Sequence, residues 1–192
     1  MSKAIPDSAS QLIDAFARLP GVGPGMAARL TYNLLHMPDE VSLTLAQAII
    51  DRKNDMRLCL TCYNFSEEDP CPICKNPNRQ RSNLLVVEQP SDVDVFEQTG
   101  KYKGLYYVLH GVISPREGIG PDQLKIRELI QRVKTGTIRQ IVFGFIPRME
   151  SDATVMFVKT ELDKAGLSHV KLKRLLRPGN FGDHLDSVIV RK

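Results

Sequence analysis

What this chain of 192 residues lacks already narrows its chemistry. No apolar run approaches the roughly 20 residues that span a bilayer as a helix. The opening MSKAIPDSAS has no apolar core of the signal-peptide kind. A membrane partner is therefore not expected, and a cytoplasmic location is. There is no internal repeat and no low-complexity tail. The chain shows no Ser-His-Asp or Cys-His arrangement of the kind that activates a nucleophile. Its histidines, His36, His110, His169 and His184, are scattered, and each reads as structural or surface. Cysteine is scarce too, and its four copies lie together.

The four cysteines form Cys59-x2-Cys62-x8-Cys71-x2-Cys74, two CxxC pairs facing each other across one loop. A two-residue spacer turns both sulfurs of a pair to one side of a tight turn. Two such turns supply the four-sulfur tetrahedral cage that Zn²⁺ prefers, with no position left open for a substrate. Glu67-Glu68-Asp69, with Pro70 and Pro72, suits a solvated tip between them. Two disulfides or scattered core thiols are the alternatives. The metal reading makes the site structural, a substitute for a core that so short a segment cannot build.

Charge separates the chain as well. The net charge is +4, yet residues 1–58, 59–82 and 83–136 each balance their cations and carboxylates. Residues 137–192 hold ten cations against six carboxylates, so the whole excess lies there, densest at Lys171, Lys173, Arg174 and Arg177. That bias favours a polyanionic partner, although lysines guarding a strand edge would look the same.

Periodicity predicts a helix over 8–18, a second from Met26 to His36 with Ala27, Leu30, Leu34 and Leu35 buried, and a third over 42–56 capped by Ser42. Between the first two lies Leu19-Pro20-Gly21-Val22-Gly23-Pro24-Gly25, the helix-hairpin-helix pattern. Gly21 and Gly23 let the backbone turn sharply and leave amides bare at a helix start, where the dipole favours a phosphate oxygen. Arg29 stands one turn further in. Such a loop grips the nucleic-acid backbone without reading sequence; a Gly/Pro connection with no ligand is the alternative.

After the cysteines the pattern becomes α/β. Strands are expected at Leu84–Val87, Leu105–Leu109, Gln140–Phe145 and Val170–Leu172, with a further one at Ser187–Val190. Helices are expected from Ser91 or Asp92 to Thr99, Asp122 to Lys134, and from a Ser151 cap to Ala165. Alternation of this kind implies a mainly parallel sheet covered on both faces. Functional groups of such sheets gather beyond the carboxyl ends of the strands. Glu88, Asp92, Glu150 and Asp152 fall there and could bind Mg²⁺ through oxygen ligands. Alternatively, Asp92 and Asp152 merely favour helix N-termini.

The order of helix-hairpin-helix, four-cysteine loop and α/β unit resembles the RecR family of bacterial recombination mediators, through most of the chain. The likeness is carried by Leu19-Pro20-Gly21-Val22-Gly23-Pro24, the cysteines, Val86-Val87-Glu88-Gln89-Pro90-Ser91-Asp92-Val93, and Gly104-x-Tyr106-x-Val108-Leu109-x-Gly111. Ser114-Pro115 and Gly118-Ile119-Gly120-Pro121 extend it. The resemblance implies four regions: a helical DNA-binding part over 1–58, a four-cysteine zinc finger over 59–82, a Toprim domain over 83–168, and a basic strand and tail over 169–192. It implies a non-enzymatic role in recombinational DNA repair. Such proteins form rings, usually tetramers, wide enough for DNA, and work with RecO and RecF to load recombinase onto gapped single-stranded DNA. By the same resemblance Gly21, Gly23 and Arg29 bind DNA, and Glu88, Asp92, Glu150 and Asp152 serve partner binding. The family's usual lysine is replaced by Gly25, and Lys171 and Lys173 offer a compensating contact. The stretch from Arg174 to Lys192 matches the family least. A Mg²⁺-dependent Toprim nuclease or primase-like enzyme, using Glu88, Glu150 and Asp152, is the rival reading. A zinc-stabilised adaptor without DNA affinity is a third.

Overall fold

The computed structural model describes residues 6–175, apart from the side chain of Asn54. The chain divides into two compact units that part between Asp55 and Met56. The strand expected at Ser187–Val190, and Arg177 of the basic cluster, lie outside the described residues.

The first unit is helical: α1 (Asp7–Ala17), α2 (Pro24–His36) and α3 (Asp39–Asp55). Helix α2 starts two residues before Met26, because Pro24 fits the first helical position, where a missing N–H is no loss. Helix α3 starts at Asp39, so Ser42 is not its cap. The Ser42 hydroxyl instead donates to the Leu34 carbonyl near the end of α2 (3.0 Å). Burial here is thin. Among the described residues of this unit only Ala9, Ala27 and Thr31 are buried. The expected α2 stripe is partly exposed: Leu30 and Leu34 are half-buried, and Leu35 is 61% exposed.

The second unit opens with a short antiparallel hairpin, β1 (Arg57–Leu58) with β2 (Phe65–Ser66), followed by the one-turn helix α4 (Pro72–Lys75). The α/β part follows: β3 (Gln80–Val87), α5 (Pro90–Gln98), β4 (Gly104–Val108), α6 (Ile126–Thr135), β5 (Gln140–Phe143), α7 (Met149–Lys164) and β6 (Lys171–Arg174). The four strands lie in the order β4-β3-β5-β6, and every described pair is parallel. Successive side chains of β3 face opposite sides, so its continuous apolar run feeds two cores. Leu84 and Val86 meet Ile126, Leu129 and Val133 of α6 and Val158 and Leu162 of α7. Leu85 and Val87 meet Val93 and Phe96 of α5.

Two helix starts differ from expectation. Helix α6 begins at Ile126, because the Gly-Pro segment before it is spent on 3₁₀ turns at Pro115–Glu117 and Pro121–Gln123. Helix α7 is preceded by extended Arg148, not capped by Ser151. Ser151 is fully buried and donates its hydroxyl to the Ile146 carbonyl (2.7 Å), serving the turn that leads into the helix.

Candidate functional site

The loop after β1 gathers the four cysteines. All are buried, and their sulfurs lie within 4.8 Å of one another, with Cys62 and Cys71 3.6 Å apart. A tetrahedral ion bound at about 2.3 Å separates its sulfurs by about 3.8 Å, so the set fits Zn²⁺. The backbone explains the convergence. Tyr63 takes a left-handed conformation (φ +61°), and its N–H donates to the Cys59 carbonyl (2.7 Å), closing the first knuckle. The second knuckle uses the start of α4, where Cys71 Sγ accepts from the Cys74 N–H (3.5 Å). The Cys71 N–H donates to Cys59 Sγ (3.3 Å), tying one knuckle to the other. Hydrogen bonds from Cys62 and Cys74 lower the Cys71 thiol, while the same bond and burial raise Cys62, so the quartet shares its protons unequally. Thiolate character is what the metal requires, and its binding displaces the remaining protons.

The zinc loop is seated on the sheet. The Val108 N–H donates to the Cys62 carbonyl (2.8 Å), and His110 Nε2 lies 2.7 Å from the Tyr63 carbonyl oxygen. Tyr63 meets Tyr107 edge-on with centroids 5.6 Å apart. Ile73 packs against the core under α5. His110 is thus a structural tether, held in a left-handed backbone (φ +62°) that the sequence did not announce.

In the helical unit the hairpin turn is built as expected. Gly21 has φ +79°, a conformation that disfavours any residue with a Cβ. Gly23 is the residue before α2, and no side chain caps that helix. A Cβ at Gly23 or Gly25 would meet nothing within 4 Å, so both backbones face open space. Arg29 is exposed on the same helix. Lys171 and Lys173 stand on the outer described strand β6, the first exposed and the second half-buried.

The acidic residues lie at the carboxyl ends of β3 and β5 but do not form one metal-sized group. Glu88 ends β3 and is ion-paired with Arg148. Asp92 accepts the Gln89 N–H (2.8 Å) at the start of α5. Asp152 pairs with Arg174. Glu150 is half-buried in the first turn of α7. Among the described residues, the cysteines are the one set of three or more His, Cys, Asp or Glu side chains spaced for a single ion. The pairing of this rim with Arg148 and Arg174 has no signal in the sequence. Neither has a partly buried network on the other side of the sheet. There Arg79 pairs with Glu97 and donates to the Tyr102 carbonyl (3.2 Å), while the Tyr106 hydroxyl donates to Glu97 (2.6 Å). Burial alone would raise the Glu97 pKa, but Arg79 and Tyr106 outweigh it and hold the carboxyl below its usual range.

Comparison with known proteins follows this architecture segment by segment. Residues 9–52 match the family described as "RecR, helix-hairpin-helix", residues 56–76 the zinc-finger domain of RecR with four cysteine ligands, and residues 82–174 "Toprim domain". The chain is 43% identical over 183 residues to "Recombination protein RecR" of Herpetosiphon aurantiacus, covering 95% of this chain and 90% of that one. It is 39% identical over 183 residues to the protein of that name from Carboxydothermus hydrogenoformans, covering 95% and 92%. With that from Pelotomaculum thermopropionicum the figures are 41% over 183 residues, 95% and 92%. The α/β class, the helix-hairpin-helix, the Toprim domain and the four-cysteine site for structural zinc expected from the sequence are therefore all present. No helix among the described residues is long and apolar enough to cross a membrane.

Proposed function

The chain belongs to the RecR family of recombination proteins, and from that premise we propose that it is a DNA-binding mediator of recombinational repair rather than an enzyme. The observation that carries the reading is the glycine elbow. Gly21 turns the chain through a left-handed conformation and delivers the uncapped start of α2 to open space. Backbone amides and the positive end of the helix dipole then meet a phosphate oxygen, with Arg29 adding a charge and Gly23 allowing close approach. Lys171 and Lys173 add cations from β6. Contacts of this type position DNA without reading bases, which suits gapped or junction DNA of any sequence.

The acidic rim of Glu88, Asp92, Glu150 and Asp152 is read as a docking surface for RecO and RecF-like partners. Arg148 and Arg174 already occupy two of its carboxylates, which favours protein recognition over Mg²⁺ chemistry. The rival nuclease or primase-like reading needs Glu88, Glu150 and Asp152 free to share a cation. Self-association into a ring, with a tetramer as the expected form, is supported by apolar side chains left in water on α3. Leu43, Leu45, Ile49 and Ile50 are all exposed, and such patches mark surfaces that another chain covers. In this reading the ring surrounds DNA in the cytoplasm and helps load recombinase at gaps.

Two measurements test the clamp, and a third tests its rival. Gel shifts on gapped DNA across a salt series should show binding that weakens steeply with salt and is reduced in Arg29→Gln; no shift at the lowest salt would end the DNA reading. Light scattering with and without gapped DNA should give a multimer, and a monomer under both conditions would remove the ring. Incubation with Mg²⁺ and nicked, gapped or single-stranded DNA should leave the strands intact. Cleavage that disappears in Glu88→Gln would establish the enzyme instead.

A further inference from the structure

The sheet is electrically polarised from one end of its strands to the other. The segments leading into the four strands, 76–82, 99–103, 135–139 and 165–171, contain six cations and no carboxylate. The segments leaving β3, β4 and β5 over 88–92, 109–123 and 144–152 contain six carboxylates and two cations. The parallel topology brings each set to one edge.

At the amino edge every strand contributes at least one exposed cation: Lys103 just before β4, Arg81 in β3, Arg139 just before β5, and Lys171 opening β6. Backbone bonds fix them as neighbours. The Gln80 N–H donates to the Lys103 carbonyl (2.8 Å), the Arg139 N–H to the Ser82 carbonyl (2.8 Å), and the Lys171 N–H to the Arg139 carbonyl (2.9 Å). The Thr137 hydroxyl reaches the Arg81 carbonyl (3.5 Å). At the sheet's amino edge the cations therefore follow the order of the strands, Lys103, Arg81, Arg139, Lys171, with Arg139 and Lys171 alternating in face because Lys171 registers with Gln140. Glu97 is the carboxylate whose charge Lys103 feels, and it is already held by Arg79.

Protection of a sheet edge by lysine accounts for Lys171 and for Lys103 beside β4. It does not account for Arg81 and Arg139, which belong to the two inner strands of the described sheet. Strands about 4.8 Å apart spread the four strand starts over about 14 Å, about four base-pair steps of a duplex axis at about 3.4 Å each.

We propose that this amino-edge row is a second DNA contact, a track for the phosphodiester backbone in which Arg81 and Arg139 join Lys171 and Lys103. It rests on the reading that the chain binds DNA, and it adds a surface on the α/β unit to the glycine elbow of the helical unit. The row carries no base-reading arrangement, so the contact is independent of sequence.

The test is the salt dependence of binding to gapped DNA by the full zinc-loaded chain. Replacing Arg81, Arg139 and Lys171 together by Gln should lower the magnitude of the slope of log K against log salt by about 2 to 3, each cation carrying about 0.7 to 0.9. Binding should be weaker at low salt, with the difference closing as salt rises. Arg81→Lys with Arg139→Lys should keep the wild-type slope, as should Arg116→Gln on the acidic edge. Zinc content and melting temperature of each variant verify that it is folded; should the triple variant not fold, Arg81→Gln with Arg139→Gln should lower the slope by about 1.4 to 1.8, and a wild-type slope in that folded pair overturns the track. A wild-type slope retained by the folded triple variant, or a slope lost in the charge-keeping pair, overturns the track alone. A wild-type chain that ignores DNA at every salt overturns this proposal and the elbow together.

Discussion

In the helical unit three described side chains are buried, two of them alanines, and α3 leaves Leu43, Leu45, Ile49 and Ile50 in water. In the α/β unit Leu84 through Val87 are inaccessible in sequence, and the zinc loop sends Tyr63 and Ile73 onto the cores beneath it. One unit holds itself together; the other has apolar surface still to cover. The difference locates stability and recognition in different places. A sheet with two cores and a four-cysteine metal site makes a rigid base, whereas a thinly packed three-helix unit presents a glycine turn and an apolar face to partners. Local opening should therefore be easier in residues 7–55 than in the sheet, which hydrogen exchange can read directly.

Zinc removal should break the comparison most severely. Structural zinc sites contribute folding free energy outright. Chelation, or Cys62→Ser, should unfold the loop from Cys59 to Cys74 and lower the melting temperature of the α/β unit, because Tyr63 and the Cys62 carbonyl are part of its packing. Exchange protection of α1 and α2 should change little. Equal loss in both units would show that their stabilities are not separate.

Core truncation sharpens the contrast next. Leu84→Ala removes a fully buried side chain from β3 and should cost roughly 3 kcal/mol by denaturant midpoint. Leu34→Ala, on half-buried ground in α2, should cost about 1 kcal/mol or less. Similar values would mean that the helical unit is better packed than its exposure implies.

The Arg79–Glu97–Tyr106 network comes third. Glu97→Gln removes the charge that two partners share and should cost about 2 kcal/mol at neutral pH. The folded carboxyl has a lowered pKa. Its contribution is therefore complete above the unfolded value of about 4.3 and is lost as pH falls through the lower folded value. The acid limb of stability should be shallower in Glu97→Gln; an unchanged limb would mean that the network does not govern it.

Much of this contrast was legible in the residues, and what was hidden has a common cause. Four cysteines in a short window announce their own chemistry, and Gly21 announces a turn that other residues resist. The run Leu84-Leu85-Val86-Val87 announces a strand covered on both faces. Hidden were features decided by the partners the folded backbone offers, near or far along the chain. Ser42 and Ser151 look like caps locally, yet their hydroxyls go to the carbonyls of Leu34 and Ile146. Glu88 looks like a free carboxylate until Arg148, 60 residues later, is brought against it. The row of cations at the amino edge is invisible in one dimension, because its members are separated by whole helices and meet only through parallel pairing.

The smallest expected effect concerns Thr31, the one polar side chain buried in the described helical unit. It is 0% exposed, and its Oγ1 has no hydrogen-bond partner. A buried hydroxyl without a partner forfeits its hydration and gains nothing in return, a loss of about 1 to 3 kcal/mol. Thr31→Val keeps the branched shape and removes the orphan oxygen, so the helical unit should gain up to about 1 kcal/mol after the small helix-propensity terms cancel. The midpoint of denaturant unfolding measures it, and a loss of stability would show that the hydroxyl finds a partner in solution.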